Sequence, residues 1–160
     1  MTKLKPPYIR YLGKVAGLRI YLVSGEYIRN HLDIDFVCGG NEMVYPSYNP
    51  PGEIWIDDAL HPLDRTATAL HEIVERHQMI TFGKNYDDAH EVASATERPF
   101  RRELAKAPPK ALDTRRVAAA YRAYLKDPGK HPVIDRPNDP KRGKQQMDRE
   151  IAEVLTRHAR

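Results

Sequence analysis

The sequence predicts an α+β fold: a small twisted sheet packed on a two-helix core, followed by a basic helical extension. Three observations carry this. Leu18–Val23 (LRIYLV) and Glu53–Asp58 (EIWIDD) are short runs of β-branched and aromatic residues bounded by turn residues, the pattern of strands. Residues 64–97 hold two stretches of helical period separated by a few residues around Gly83. The charge then changes sign along the chain: residues 1–97 hold 9 Lys and Arg against 14 Asp and Glu, net −5, whereas residues 98–160 hold 17 against 8, net +9. On this basis the chain divides into an N-terminal arm (1–17), a domain (18–107) and a basic helical extension with an irregular linker (108–160).

Taken in order, residues 1–14 are basic and proline-containing and read as an arm with an edge strand at Tyr8–Leu12. Leu18–Val23 is a strand, and Ser24-Gly25-Glu26 turns the chain. Tyr27–Leu32 suits either a short helix or an extended element. Asp35–Cys38 and Glu42–Tyr48 are further candidate strands, separated by a turn at Gly39-Gly40-Asn41. Asn49-Pro50-Pro51-Gly52 is a firm turn leading into EIWIDD, where Ile54 and Ile56 face the core and Trp55 and Asp57 face away from it.

The first long helix is expected to start near Asp64, which suits a cap, and to bury Ala67, Leu70, Ile73, Val74 and Ile80; Gly83 stops it. The second begins at Asn85 or Asp87 and offers a small-residue face at Ala89, Val92, Ala93 and Ala95. So short a connection favours antiparallel packing. Arg98-Pro99 marks a boundary or kink. Ala107-Pro108-Pro109-Lys110 is a linker, and Asp113–Lys126 is a helix capped at Asp113 or Thr114 with Val117, Tyr121, Tyr124 and Leu125 as its apolar stripe. Residues 126–143 read as irregular, and Gln145–Arg160 as a terminal helix with Met147, Ile151, Val154 and Leu155 on one side.

A length of 160 residues with 41% apolar content suits one domain with an extension. No apolar run is long enough for a membrane span, and MTKLKPPYIRYLGK lacks the apolar stretch and cleavage site of a secretory signal. Cys38 is the single cysteine, so no internal disulfide forms, which fits a reducing cytoplasm. It reads as a small buried thiol beside a glycine turn rather than as a nucleophile.

The chemistry is concentrated in His71–Ala95. His71 and Glu75 are four residues apart and share a helix face, with Glu72 about 100° around from His71. His77, six residues on, falls about 240° away and is excluded. An antiparallel hairpin brings His90 opposite His71 and Glu75, and Glu97, seven residues further, shares the His90 face and can orient the site from behind. Two histidines and a glutamate form an established ligand set for a catalytic zinc, which keeps one position open for water; a nearby carboxylate, Glu72, then moves the proton. The plainer alternative is a pair of hydrogen-bonded histidines beside surface ion pairs.

His71-Glu72-Ile73-Val74-Glu75 resembles the H-E-x-x-H helix of the zincin metallopeptidases, with glutamate in place of the second histidine. The wider pattern of IWIDD, LHEIVER and YDDAHEVAS, over about Gly25 to Glu97, looks like that of small phage and bacterial proteins described as zinc-dependent peptidases. The resemblance implies metal ligands at His71, Glu75 and His90, a general base at Glu72, and a peptide or protein substrate. It also implies that EIWIDD forms the sheet edge and lines the substrate cleft with Trp55 and Asp57. Zinc is the expected ion, and the added carboxylate makes manganese or iron possible. The expected setting is the cytoplasm of a bacterial host, or a virion if the protein comes from a phage.

A reading of another class is a non-catalytic structural or adaptor protein, again of possible phage origin, built on the same core. Its basic C-terminal helices would dock a protein partner. Nucleic acid is a further candidate partner for that charge, although no DNA-binding motif accompanies it.

Overall fold

The structure, a computed structural model, describes residues 3–128. The terminal helix and most of the irregular linker expected from the sequence lie outside the described residues.

Within them the fold is α+β, a four-stranded mixed sheet with four helices. Strand β1 (Tyr8–Val15) and strand β2 (Leu18–Val23) form an antiparallel hairpin. Its turn, Ala16-Gly17, places both residues at positive φ, as tight hairpin turns require. Helix α1 (Gly25–His31) follows, capped by Ser24 Oγ, which accepts from the Tyr27 N–H. The two-residue strand β3 (Gly39–Gly40) and strand β4 (Glu53–Asp57) complete the sheet in the order β1-β2-β4-β3, with β2 and β4 parallel and β3 antiparallel to β4.

Helix α2 (Pro62–Phe82) and helix α3 (Tyr86–Lys106) form an antiparallel pair, and helix α4 (Thr114–Leu125) lies against α2 and β1. Helix α2 ends at Gly83 in the left-handed conformation that its lack of a Cβ permits. Asn85 caps α3 by accepting from the Asp88 N–H, and Asp113 caps α4 in the same way with Arg116.

The period of two along the strands sorts side chains to the two faces of the sheet. Ile20, Leu22, Ile54 and Ile56 meet Leu70, Ile73 and Val74 of α2, Val92 and Ala93 of α3, and Val117, Tyr121 and Tyr124 of α4. Full burial of each isoleucine contributes about 1.5–3 kcal/mol. Val23 and Trp55 face the other way, onto Ile28, Phe36 and four tyrosines.

The edge strand expected at Tyr8–Leu12 is present and runs on to Val15, and α4, assigned to the extension, buries its stripe in the same core. Other expectations are corrected. Leu125 and Ile80 are instead exposed. Asp35–Cys38 and Glu42–Tyr48 are turns and bends, and the strand falls on the glycines read as a turn. Gly39 is required there because a Cβ would meet Trp55 O at 2.7 Å and Thr68 Cγ2 at 2.9 Å. Helix α2 starts at Pro62, since proline at the first helical position loses no hydrogen bond. Helix α3 runs through Pro99, which is exposed, and Leu104, fully buried beyond it, anchors the second half.

Candidate metal centre

Helix α2 is buried along its middle because it lies between the sheet, α3 and α4; His71, Glu72 and Glu75 sit in that stretch. Facing pairs run Glu75–His90, His71–Glu97 and Asp64–Arg101, in the descending order that antiparallel helices impose. His71 and His90 are each 8% exposed and Glu75 is 2% exposed, so the chain has taken three chemistry-bearing side chains out of water together.

Their atoms converge on one point. His90 Nδ1 lies 2.9 Å from Glu75 Oε2 and 3.2 Å from His71 Nε2, and His71 Nε2 lies 3.4 Å from Glu75 Oε2. The Tyr86 hydroxyl stands 3.4 Å from the same His90 nitrogen. An imidazole nitrogen has one lone pair or one proton, so it cannot satisfy three neighbours at once. A tetrahedral ion with bonds of about 2.0–2.1 Å has ligand atoms roughly 3.3 Å apart. The 2.9–3.4 Å triangle matches that spacing, and the donor set fits a divalent ion.

Glu72 stands beside this group. Its Oε2 accepts from Asn41 Nδ2 at 2.9 Å, and the same amide reaches Glu75 Oε1 at 3.4 Å. Asn41 is itself fully buried and held by its own turn, its Oδ1 accepting from the Met43 N–H at 2.9 Å. Burial and the adjacent Glu75 charge push Glu72 up to about 7. Burial also works against ionised Glu75, but hydrogen bonds from His71 and His90 outweigh it and hold that carboxyl at about 2. For His71, burial favours the neutral ring, yet the hydrogen bond to Glu75 leaves its pKa raised. The charge of the group is thus shared between one firm carboxylate and the imidazoles facing it.

The structure brings His71, Glu75 and His90 together, joins Glu72 to Glu75 through the Asn41 amide, and sets Glu97 Oε1 3.9 Å from His71 Nδ1. The Trp55 and Asp57 side chains have partners of their own. Strand β4 is internal, flanked by β2 and β3, so it is not the sheet edge that the resemblance implies. Trp55 donates from Nε1 to Glu53 Oε2 at 2.9 Å and packs on Tyr8 and Tyr48. Asp57 accepts from Arg29 at 2.8 Å and caps the Ala59 N–H. His77 lies toward α4, its Nδ1 2.8 Å from the Tyr124 hydroxyl, consistent with its exclusion.

Asn41, Tyr86 and Arg101 escaped the sequence reading. Tyr86 was findable, being one turn before His90 on the same face; Asn41, in an irregular segment 31 residues from Glu72, was not. Among the described residues, no second group of His, Cys, Asp and Glu gathers in this way. No helix of the described residues is long and apolar enough to cross a membrane. No family model, curated protein or solved structure matches this chain.

Proposed function

We propose that this protein is a metal-dependent hydrolase with a zincin-like core. His71, Glu75 and His90 hold a divalent ion, zinc in the first place and manganese or iron as alternatives. The observation that carries this is the convergence of two imidazole nitrogens and one carboxylate oxygen within 3.4 Å of one another, inside a buried helix pair. An ion held there supplies Lewis acidity and makes water acidic enough to ionise near neutral pH. Glu72, fixed by Asn41, stands one residue from His71 and takes a proton from the attacking water before handing it to the leaving group.

Peptide amides are the proposed substrate class. The support is the likeness of His71–Glu75 to the zincin helix.

A structural or adaptor role with the same ion draws support from the burial of all three donors. Closed structural sites, however, carry four protein ligands, and among the described residues this group has three.

Elemental analysis of untagged protein, prepared beside His71→Ala and His90→Ala, tests the assignment. One equivalent of metal in the wild type and none in either variant is the expected result. A wild type that stays empty after reloading with zinc, manganese and iron would return both histidines to ordinary packing.

A further inference from the structure

Glu97, Arg101 and Asp64 form a chain of charges that ends on His71. On α3, residues 90, 97 and 101 share the face turned to α2. His90 meets the centre directly. One turn-pair further, Glu97 Oε1 lies 3.9 Å from His71 Nδ1, the nitrogen on the far side of the ring from the atom facing Glu75. The same Glu97 oxygen is 3.4 Å from Arg101 Nη2, and Arg101 Nη1 donates to Asp64 Oδ1. These side chains are 11–20% exposed, so the network is largely shielded from solvent and counter-ions.

We propose that Arg101, anchored by Asp64, is a positioning residue that holds Glu97 against His71 Nδ1 and thereby sets His71 for the ion. The proposal rests on the metal assignment above. Its physical basis is the single proton of a neutral imidazole. A carboxylate at Nδ1 draws that proton to Nδ1 and leaves the Nε2 lone pair free for a ligand bond. Glu97 is drawn to this place against the repulsion of Glu72 and Glu75, two further buried carboxylates, and needs a compensating cation. Arg101 supplies it, and its planar fork spans Glu97 and Asp64 together. Asp64 fixes the guanidinium to the first turn of α2, so both helices define where Glu97 stands.

The test is zinc affinity by chelator competition for the full chain and for Arg101→Met, Arg101→Lys, Glu97→Gln and the Arg101→Met/Glu97→Gln double variant. Side-chain ¹⁵N NMR of the histidines accompanies it. Arg101→Met and Glu97→Gln are each expected to weaken zinc about 10–100-fold. The double variant should be no weaker than the worse single, because both break one chain, and Arg101→Lys should recover part of the loss. In the zinc-loaded protein, both single variants should shift the His71 Nδ1–H signal. Affinities within about twofold of wild type, unchanged His71 signals, or losses that multiply in the double variant would overturn the proposal. If Arg101→Met does not fold, Glu97→Gln and the His71 signals decide the matter alone. Zinc that survives His71→Ala marks instead a failure of the metal assignment itself.

Discussion

Asn41 donates to Glu72 across 31 residues of sequence, with Nδ2 2.9 Å from Oε2 and both side chains buried. This one amide fixes the carboxylate proposed to move the proton, and it also reaches Glu75, the carboxylate proposed to hold the ion. Asn41→Ala removes the donor and leaves Glu72 Oε2 buried without it. The expected loss is about 1–3 kcal/mol of stability, read by urea denaturation of the metal-free protein. Metal stoichiometry should stay at that of the wild type, since none of the three proposed ligands is altered.

Glu72→Gln separates binding from turnover. The amide occupies the same space beside Asn41 but cannot accept a proton from water. Metal content is expected to match wild type, while hydrolysis of a fluorogenic peptide library falls about 10²–10⁴-fold. Undiminished hydrolysis by this variant would remove Glu72 from the mechanism.

What the sequence shows of this site follows from how local each determinant is. His71, Glu75 and His90 were legible because a helical period and a short, glycine-stopped connection fix their relative places. The caps at Asn85 and Asp113 were legible for the same reason: each acts within three residues. The place of β4 was not, because whether a strand is an edge depends on pairings that cross the whole chain. Nor was β3, whose two glycines carry no strand propensity and are selected by lack of space. The boundary offered at Arg98-Pro99 is not taken, since the cost of one lost helix bond is offset by apolar anchorage beyond it, at Phe100 and Leu104.

Gly39→Ala tests that lack of space. The new methyl would meet Trp55 O at 2.7 Å, and backbone cannot swing aside as a side chain does; Glu72 Cγ follows at 3.3 Å. A loss of about 1–3 kcal/mol is expected, as for other overpacked sites. Gly83→Ala is the control: its Cβ meets nothing within 4 Å, and only the φ of +63° opposes it, at a cost of about 1–2 kcal/mol. Thermal melts should show both variants destabilised, but only Gly39→Ala should lower peptide hydrolysis, because only Gly39 abuts Glu72, the proposed base.

Acid should loosen the segment between β3 and β4 through Glu42. Arg76 places both Nε and Nη2 2.7 Å from Glu42 Oε1, and the Gly52 N–H adds a third donor at 3.3 Å. Burial opposes the ionised form, but these hydrogen bonds prevail and hold the Glu42 carboxyl below its usual range. A carboxyl depressed in the folded state stabilises the protein above its unfolded value, about 4.3, and that contribution is lost as pH falls through the folded value. Arg76→Met strands a carboxylate whose side chain is only 12% exposed, so it is expected to cost about 2–3 kcal/mol at pH 7, less than a fully buried pair would. As pH falls from the unfolded Glu value towards the depressed folded one, Glu42 protonates and no longer needs Arg76, and the stability gap between variant and wild type should narrow steadily. Urea denaturation at pH 7, 5 and 3.5 measures this, and a gap that stays constant across those points would show that Arg76 acts by packing rather than by charge.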